Sequence, residues 1–166
     1  MRLARVAVVT LAATALTTFV GVGAANAAPP AANEAHLLGV VTFDPANPRV
    51  GSVLARYRCT YDNPHLWVSV KQNDDRTADP ALASEGSGGL GQATTWLDSH
   101  RNPVTCDGKW HADRFTVDQV EPNWNGGGVK PGALAKGEVW VQFCLTSGDE
   151  SNGYSDMQFL KVRAAG

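Results

Sequence analysis

Apolar and polar side chains alternate with a period of two along several short stretches of the chain. In residues 53–59 every second side chain is apolar, aromatic or cysteine, whereas Leu54, Arg56 and Arg58 point to the other side. That alternation is typical of a half-buried β-strand. The same pattern predicts further strands at residues 66–71, 109–120 and 138–145, and short β-like runs predict two more at residues 40–43 and 157–163.

Turn residues separate the predicted strands, and no long helical pattern competes with them. Asp44-Pro45 and Asn47-Pro48 end the first strand, and Asp62-Asn63-Pro64 precedes the third. Six or seven short strands in one chain of this size predict an all-β fold, an antiparallel immunoglobulin-like β-sandwich of about seven strands. A small β-barrel is the alternative, because the same strand pattern permits it.

Residues 73–102 form a long insertion that is acidic and rich in glycine and serine. Asp79-Pro80 predicts a capped helical turn that reaches Ser84, and residues 92–99 suit a short helix or a strand. A structureless loop of this length is uncommon in a compact domain. The insertion therefore either packs down through Trp96 and Leu97 or has a function.

The beginning of the chain predicts export. Residues 1–27 combine Arg2 and Arg5, an uncharged Ala/Thr-rich run and a small-x-small cleavage pattern, which is typical of a secretory signal peptide. We expect a flexible leader at residues 28–35 and a single secreted domain at residues 36–166. Without the two arginines, 12 basic residues remain against 16 acidic ones. The net charge of about −4 disfavours nucleic acid, and it disfavours an anionic membrane as partner after signal cleavage.

The three cysteines of an exported chain suggest one disulfide and one leftover thiol. Cys59 lies on the predicted core side of its strand, and Cys106 directly precedes another strand. An antiparallel neighbour brings those two ends together, which favours a Cys59–Cys106 disulfide and leaves Cys144 as the leftover thiol. The rival pairing is Cys59–Cys144, the intersheet bridge of antibody domains, which a bulge near Phe143 would allow.

Several short motifs carry a resemblance to one family. They are Tyr57-Arg58-Cys59, the Leu-Trp-Val-Ser-Val-Lys-Gln run of residues 66–72, the Cys-Asp-Gly-Lys-Trp-His run of residues 106–111, and Pro131-Gly132-Ala133. Over most of residues 40–163 the chain resembles a group of exported, functionally uncharacterised actinomycete proteins with a small immunoglobulin-like domain and a Cys / Cys-Asp-Gly cysteine pair. The resemblance implies a fold and a compartment, and it implies no activity.

The sequence contains no complete catalytic or metal-binding motif. The four histidines lie in four separate segments without a pair at metal-ligand spacing (His36, His65, His100 and His111). No Gly-x-Ser-x-Gly turn occurs, and the acid pairs Asp74-Asp75 and Asp149-Glu150 lack the spacing of a calcium loop. We therefore predict no metal, no cofactor and no enzymatic activity.

Tryptophans give the sharpest functional signal. Trp67 and Trp140 lie on the side of their strands opposite the core, so neighbouring strands would place them on one face. The candidate binding face comprises Trp67, Ser69, Lys71, Trp96, Trp140 and Gln142. Exposed tryptophans that lie together usually mark a binding surface.

The function predicted from this face is a secreted, non-catalytic module, monomeric or weakly dimeric, that binds a protein or a cell-envelope ligand. One alternative is a carbohydrate-binding module, because flat rings with adjacent hydrogen-bonding groups suit sugars. A small secreted enzyme or enzyme inhibitor is another. The tryptophans also have a purely structural interpretation, in which the insertion folds over the face and Trp96 and Leu97 fill a second small core.

Overall fold

The computed structural model of the protein describes residues 33–83, 92–100, 103–120, 130 and 132–166. The predicted signal peptide and most of the predicted leader lie outside these residues. In the described part of the chain, no helix is long and apolar enough to cross a membrane.

The predicted all-β fold is confirmed. Alternation produces the expected burial: Val53, Ala55 and Tyr57 are almost fully buried, while Arg56 between them is exposed. The described elements are β1 (Glu34–Asp44), β2 (Asn47–Arg58), β3 (His65–Gln72), a 3₁₀ turn (Pro80–Ala83), β4 (Thr95–Ser99), β5 (His111–Val117), β6 (Gly137–Thr146) and β7 (Gly153–Ala164). β1 thus begins two residues before the expected start of the domain, and Ala35 is fully buried in the core.

The seven strands form one sheet in the order β4-β3-β6-β7-β1-β2-β5. All neighbours are antiparallel except β1 and β7, which pair in parallel from Val41 to Phe43. The predicted sheet was wholly antiparallel, and this pair is the departure from it. A parallel pair needs a long connection between its strands, and here the connection is the whole intervening domain, so no local pattern reveals it.

The sheet curls into a half-barrel around the core. Phe143 of β6 packs against Phe115 of β5 and Tyr57 of β2, with ring centroids 5.1 and 6.3 Å apart. The two edges of the sheet also meet, because Asp98 and Gln119 exchange backbone hydrogen bonds of 3.0 and 3.1 Å. Two halves of one sheet therefore face each other across the core, which combines features of the predicted sandwich and of its barrel alternative.

The described part of the insertion packs onto the domain. Asp79 Oδ1 accepts the Ala81 N–H at 2.9 Å, which is the predicted cap of the 3₁₀ turn. Residues 95–99 form the edge strand β4, where Leu97 is fully buried and Trp96 is 4% exposed. Of the two options for this segment, the strand is the observed one, and it widens the sheet beside β3.

The Cys59–Cys106 disulfide is present. It joins the end of β2 to the loop before β5, and Gly108 N–H donates to the Cys59 carbonyl at 2.8 Å beside it. The rival bridge to Cys144 is excluded, because Cys144 lies on the outer side of β6 and stands outside the disulfide.

Candidate functional site

The outer surface of β4, β3, β6 and β7 carries the predicted binding residues on one continuous face. Trp67 is opposite Cys144, Ser69 opposite Gln142, and Lys71 lies between Trp140 and Trp96. β7 extends the face, since it places Phe159 beside Trp140 and Met157 beside Gln142. We call this surface the tryptophan face: Trp67, Ser69, Lys71, Trp96, Asp98, Trp140, Gln142, Cys144, Met157 and Phe159.

Four of the six predicted residues are buried within this face. Ser69 and Gln142 are fully buried, and Lys71 and Trp96 are 3% and 4% exposed. The Ser69 hydroxyl donates to Gln142 Oε1 at 3.3 Å, and Gln142 Nε2 lies 3.8 Å from the Met157 sulfur. The Lys71 ammonium lies 5.1 Å from the centre of the Trp96 ring, a cation–π contact. Because these four side chains are almost inaccessible to solvent, a ligand would not touch them directly.

The accessible part of the tryptophan face is apolar. Trp67, Trp140 and Phe159 are half-buried, and Met157 is 38% exposed. The rings of Trp140 and Phe159 pack together with centroids 4.9 Å apart. Cys144, also half-buried, lies between Trp67 and β7. The result is an apolar strip that crosses three neighbouring strands.

A polar cluster fixes one end of the strip. The Trp67 indole N–H donates to Asp98 Oδ2 at 3.1 Å, and the Asp98 side chain is only 1% exposed. His100 stacks on Trp67 with centroids 6.2 Å apart, and its Nε2 lies 4.0 Å from the same Asp98 oxygen. Because Asp98 lies on the neighbouring strand, this hydrogen bond ties the orientation of Trp67 to the β3–β4 pairing.

His100 also contacts a second histidine. His65 Nε2 and His100 Nδ1 are 2.9 Å apart, which is hydrogen-bond distance, so one nitrogen carries the proton that the other accepts. We call these two residues the histidine pair. Sequence reasoning missed it because the residues are 35 positions apart and only the register of β3 with β4 aligns them. The one available signal was that each histidine adjoins a strand.

A second aromatic cluster lies on the outer side of β1, β2 and β5. The guanidinium carbons of Arg56 and Arg58 lie 3.8 and 4.9 Å from the Trp110 ring centre, and His36 stacks on the same ring. Glu34 bonds both His36 and Arg58, which lowers the pKa of its carboxyl, the His36 bond most strongly. The Glu34 carboxylate offsets part of the positive charge of this cluster. The cluster also gives Trp110, to which the sequence analysis assigned no role, a set of stacking partners.

His111 caps the Cys-Asp-Gly turn. Its Nε2 lies 2.8 Å from Asp107 Oδ1 in the Cys-Asp-Gly turn, and its ring stacks on Tyr57 rather than on Trp110. The His111 hydrogen bond, helped by the Lys109 N–H, lowers the pKa of Asp107 to about 2. These hydrogen bonds within residues 106–111 therefore stabilise the turn beside the disulfide.

The geometry of the tryptophan face suits binding by burial of apolar surface. Within the described residues, no three histidine, cysteine or acidic side chains converge to hold a metal ion. No family model matches the chain, and no curated protein matches it.

Proposed function

We propose that the chain is an exported, non-catalytic binding module whose tryptophan face engages a protein partner in the cell envelope. The observation that carries this proposal is the accessible apolar strip of Trp67, Trp140, Met157 and Phe159 on paired strands. Export is supported by the sequence of residues 1–27, and a buried disulfide is compatible with an extracellular location.

Aromatic side chains of this kind can supply most of the affinity of an interface. Tryptophan is enriched among the few residues whose truncation costs 2 kcal/mol or more of binding free energy. Trp67 and Trp140 are held by neighbours, Asp98 and Phe159 respectively, so little side-chain entropy remains to be lost on binding. The strip is therefore organised before a partner arrives.

The polar groups of the face favour a protein over a sugar. A sugar-binding platform needs accessible hydrogen-bonding groups next to its aromatic rings, because a sugar's hydroxyl groups must be satisfied when they leave water. Here Ser69 and Gln142, the polar residues between the two tryptophans, are fully buried and bonded to each other. An apolar strip suits the hydrophobic core of a protein interface better.

The rim of the strip is polar. Ser155 is exposed at one end, and Glu138 and Lys161 form a loose pair, 4.0 Å apart, at the other. Surface pairs of this kind contribute little to stability, but they remain solvated around an interface. The arrangement of an apolar centre with a charged rim is the usual anatomy of a binding surface.

The test is retention of purified residues 28–166 on cell envelopes of the producing organism. Met157→Glu places a charge in the centre of the strip at an exposed position, and we expect it to weaken retention about tenfold. The matched control is Ala112→Glu, an exposed position near the start of β5 on its outer side, which should leave retention unchanged. Circular dichroism checks that both variants fold.

A second arm identifies the class of partner. If the partner is a protein, protease treatment of the envelopes abolishes retention, whereas digestion of the wall glycan releases the complex intact. Retention that survives protease but is lost with the glycan would replace this proposal by the carbohydrate-binding alternative. Equal retention of Met157→Glu and the unchanged protein would contradict the assignment of the face.

A further inference from the structure

Met157 is the most exposed residue of the tryptophan face. It is 38% exposed, and among the described residues it is the only large hydrophobic side chain that is exposed. Its sulfur lies on the face itself, because the amide nitrogen of the fully buried Gln142 is 3.8 Å away. The thioether is therefore held over the sheet, where small molecules in solution can reach the side chain.

The thioether is the part of the apolar strip whose polarity a small oxidant can change. Peroxides convert methionine to its sulfoxide, which is polar and chiral, and dedicated reductases restore the thioether. The sequence of residues 1–27 predicts export, and exported proteins work in an oxidising environment. Met157 thus combines an exposed position, a reversible chemistry and a compartment in which that chemistry occurs.

We propose that Met157 is an oxidation site through which peroxide switches off the tryptophan face; the effect on binding rests on the function proposed above. The O–O bond of hydrogen peroxide breaks as one oxygen forms a bond to the Met157 sulfur. The sulfur is oxidised to the sulfoxide and the peroxide is reduced. The second oxygen leaves as water with both peroxide protons, so no further co-reactant is needed.

The sulfoxide weakens binding because it puts a strong hydrogen-bond acceptor into an apolar contact. A thioether sulfur is only a weak acceptor, so an apolar partner can cover it at little cost. A polar oxygen that loses its water under such a partner is unfavourable unless a donor replaces the water. Met157 lies beside Gln142 and next to Phe159 on the outer side of β7, inside the strip rather than on its charged rim.

The chain offers a clear readout of this reaction. Met1 and Met157 are the two methionines of the sequence, so residues 28–166 contain Met157 alone. Purified residues 28–166 would carry Cys144→Ala, which removes the free thiol as a competing target. Hydrogen peroxide is added and then removed, mass spectrometry counts the oxygen atoms gained, and peptide mapping locates them.

We expect one added oxygen, located at Met157, and a rate of oxidation in the folded protein close to that in urea. Retention of the oxidised protein on cell envelopes should fall about tenfold. Reduction with methionine sulfoxide reductases of both specificities should restore it. Circular dichroism checks that the oxidised protein keeps its fold.

Two variants control for effects of the oxidant elsewhere. Met157→Leu conserves the apolar volume, and it should keep full retention before and after peroxide. Ala112→Met, added to Met157→Leu, places a methionine at an exposed position near the start of β5 on its outer side. That methionine should be oxidised without loss of retention.

The proposal is overturned if Met157 stays unoxidised under conditions that oxidise the Ala112→Met variant, or if the oxidised, folded protein is retained as well as the reduced one. An equal loss of retention in peroxide-treated Met157→Leu would also overturn it. Met157→Glu distinguishes the two proposals. If it weakens retention and the sulfoxide does not, only the oxidation switch fails, whereas if neither does, the proposed function fails as well.

Discussion

The carboxylate of Asp156 on β7 accepts the backbone N–H of Leu37 on β1 at 2.6 Å. Gln158, two residues along β7, donates to the carbonyl of the same Leu37 at 3.3 Å. Side chains thus satisfy the backbone of β1 before its parallel pairing with β7 begins at Val41. Between these two regions the register of β1 shifts, and Gly39 adopts a φ of +67° that favours glycine.

This bridge predicts a specific loss of stability. Asp156→Ala leaves the part-buried Leu37 N–H without its acceptor, and we expect the free energy of unfolding to fall by about 1–3 kcal/mol. Urea denaturation followed by tryptophan fluorescence measures the change. Ser155→Ala, at the exposed neighbouring position, should alter stability by less than about 0.5 kcal/mol. Equal effects of the two variants would mean that the Asp156 bond contributes nothing specific.

The disulfide predicts a larger effect. Cys59 and Cys106 are 47 residues apart, and closing a loop of that length restricts the unfolded chain by about 4 kcal/mol in the chain-entropy account. The double variant Cys59→Ala/Cys106→Ala should therefore lose about 4 kcal/mol in denaturant unfolding. Cys144→Ala, outside the bridge, should change stability by about 1 kcal/mol or less. Alkylation of three thiols in the unreduced native protein would contradict the pairing.

The alternation of side chains along each strand predicted much of the structure. The alternation of apolar side chains located β2, β3 and β6, and the same parity placed Cys59 inside and Trp67 and Trp140 outside. These predictions succeed because a strand's side chains alternate between two environments whatever its partners are. The shared face of Trp67 and Trp140 also required β3 and β6 to be neighbouring strands, and the structure pairs them.

The alternation of side chains within a strand does not show which strands, distant in sequence, pair with one another. β4 pairs with β3 only because the insertion folds back, and this pairing buries Lys71 beside Trp96 and aligns His65 with His100. Burial of a polar residue on an outer face depends on what lies over that face, which the local pattern does not contain. The contact between His65 and His100 depends on the register of β3 with β4, so the spacing of the two residues along the chain does not predict it.

The turn beside the disulfide predicts a response to acid. The His111 hydrogen bond lowers the pKa of Asp107 to about 2, against an ordinary value of 3.8. A lowered carboxyl pKa stabilises the fold above the ordinary value, and that contribution disappears as the pH falls from about 4 to about 2. In His111→Ala the Asp107 pKa should rise toward 3.8, although the Lys109 N–H remains bonded. Carboxyl NMR titration measures both midpoints, and an unchanged midpoint in His111→Ala would contradict the role of the histidine.

Cys144 allows the tryptophan face to be blocked without changing its sequence. The thiol lies across from Trp67 on one side and Ser155 on the other, and it is half-buried. We expect a bulky maleimide to react more slowly with the folded than with the unfolded protein, and the product to lose about tenfold in envelope retention. In a Cys144→Ala background, the same label on Ala112→Cys should leave retention unchanged because it lies on the outer side of β5. Full retention of the Cys144-labelled, folded protein would mean that the partner binds elsewhere.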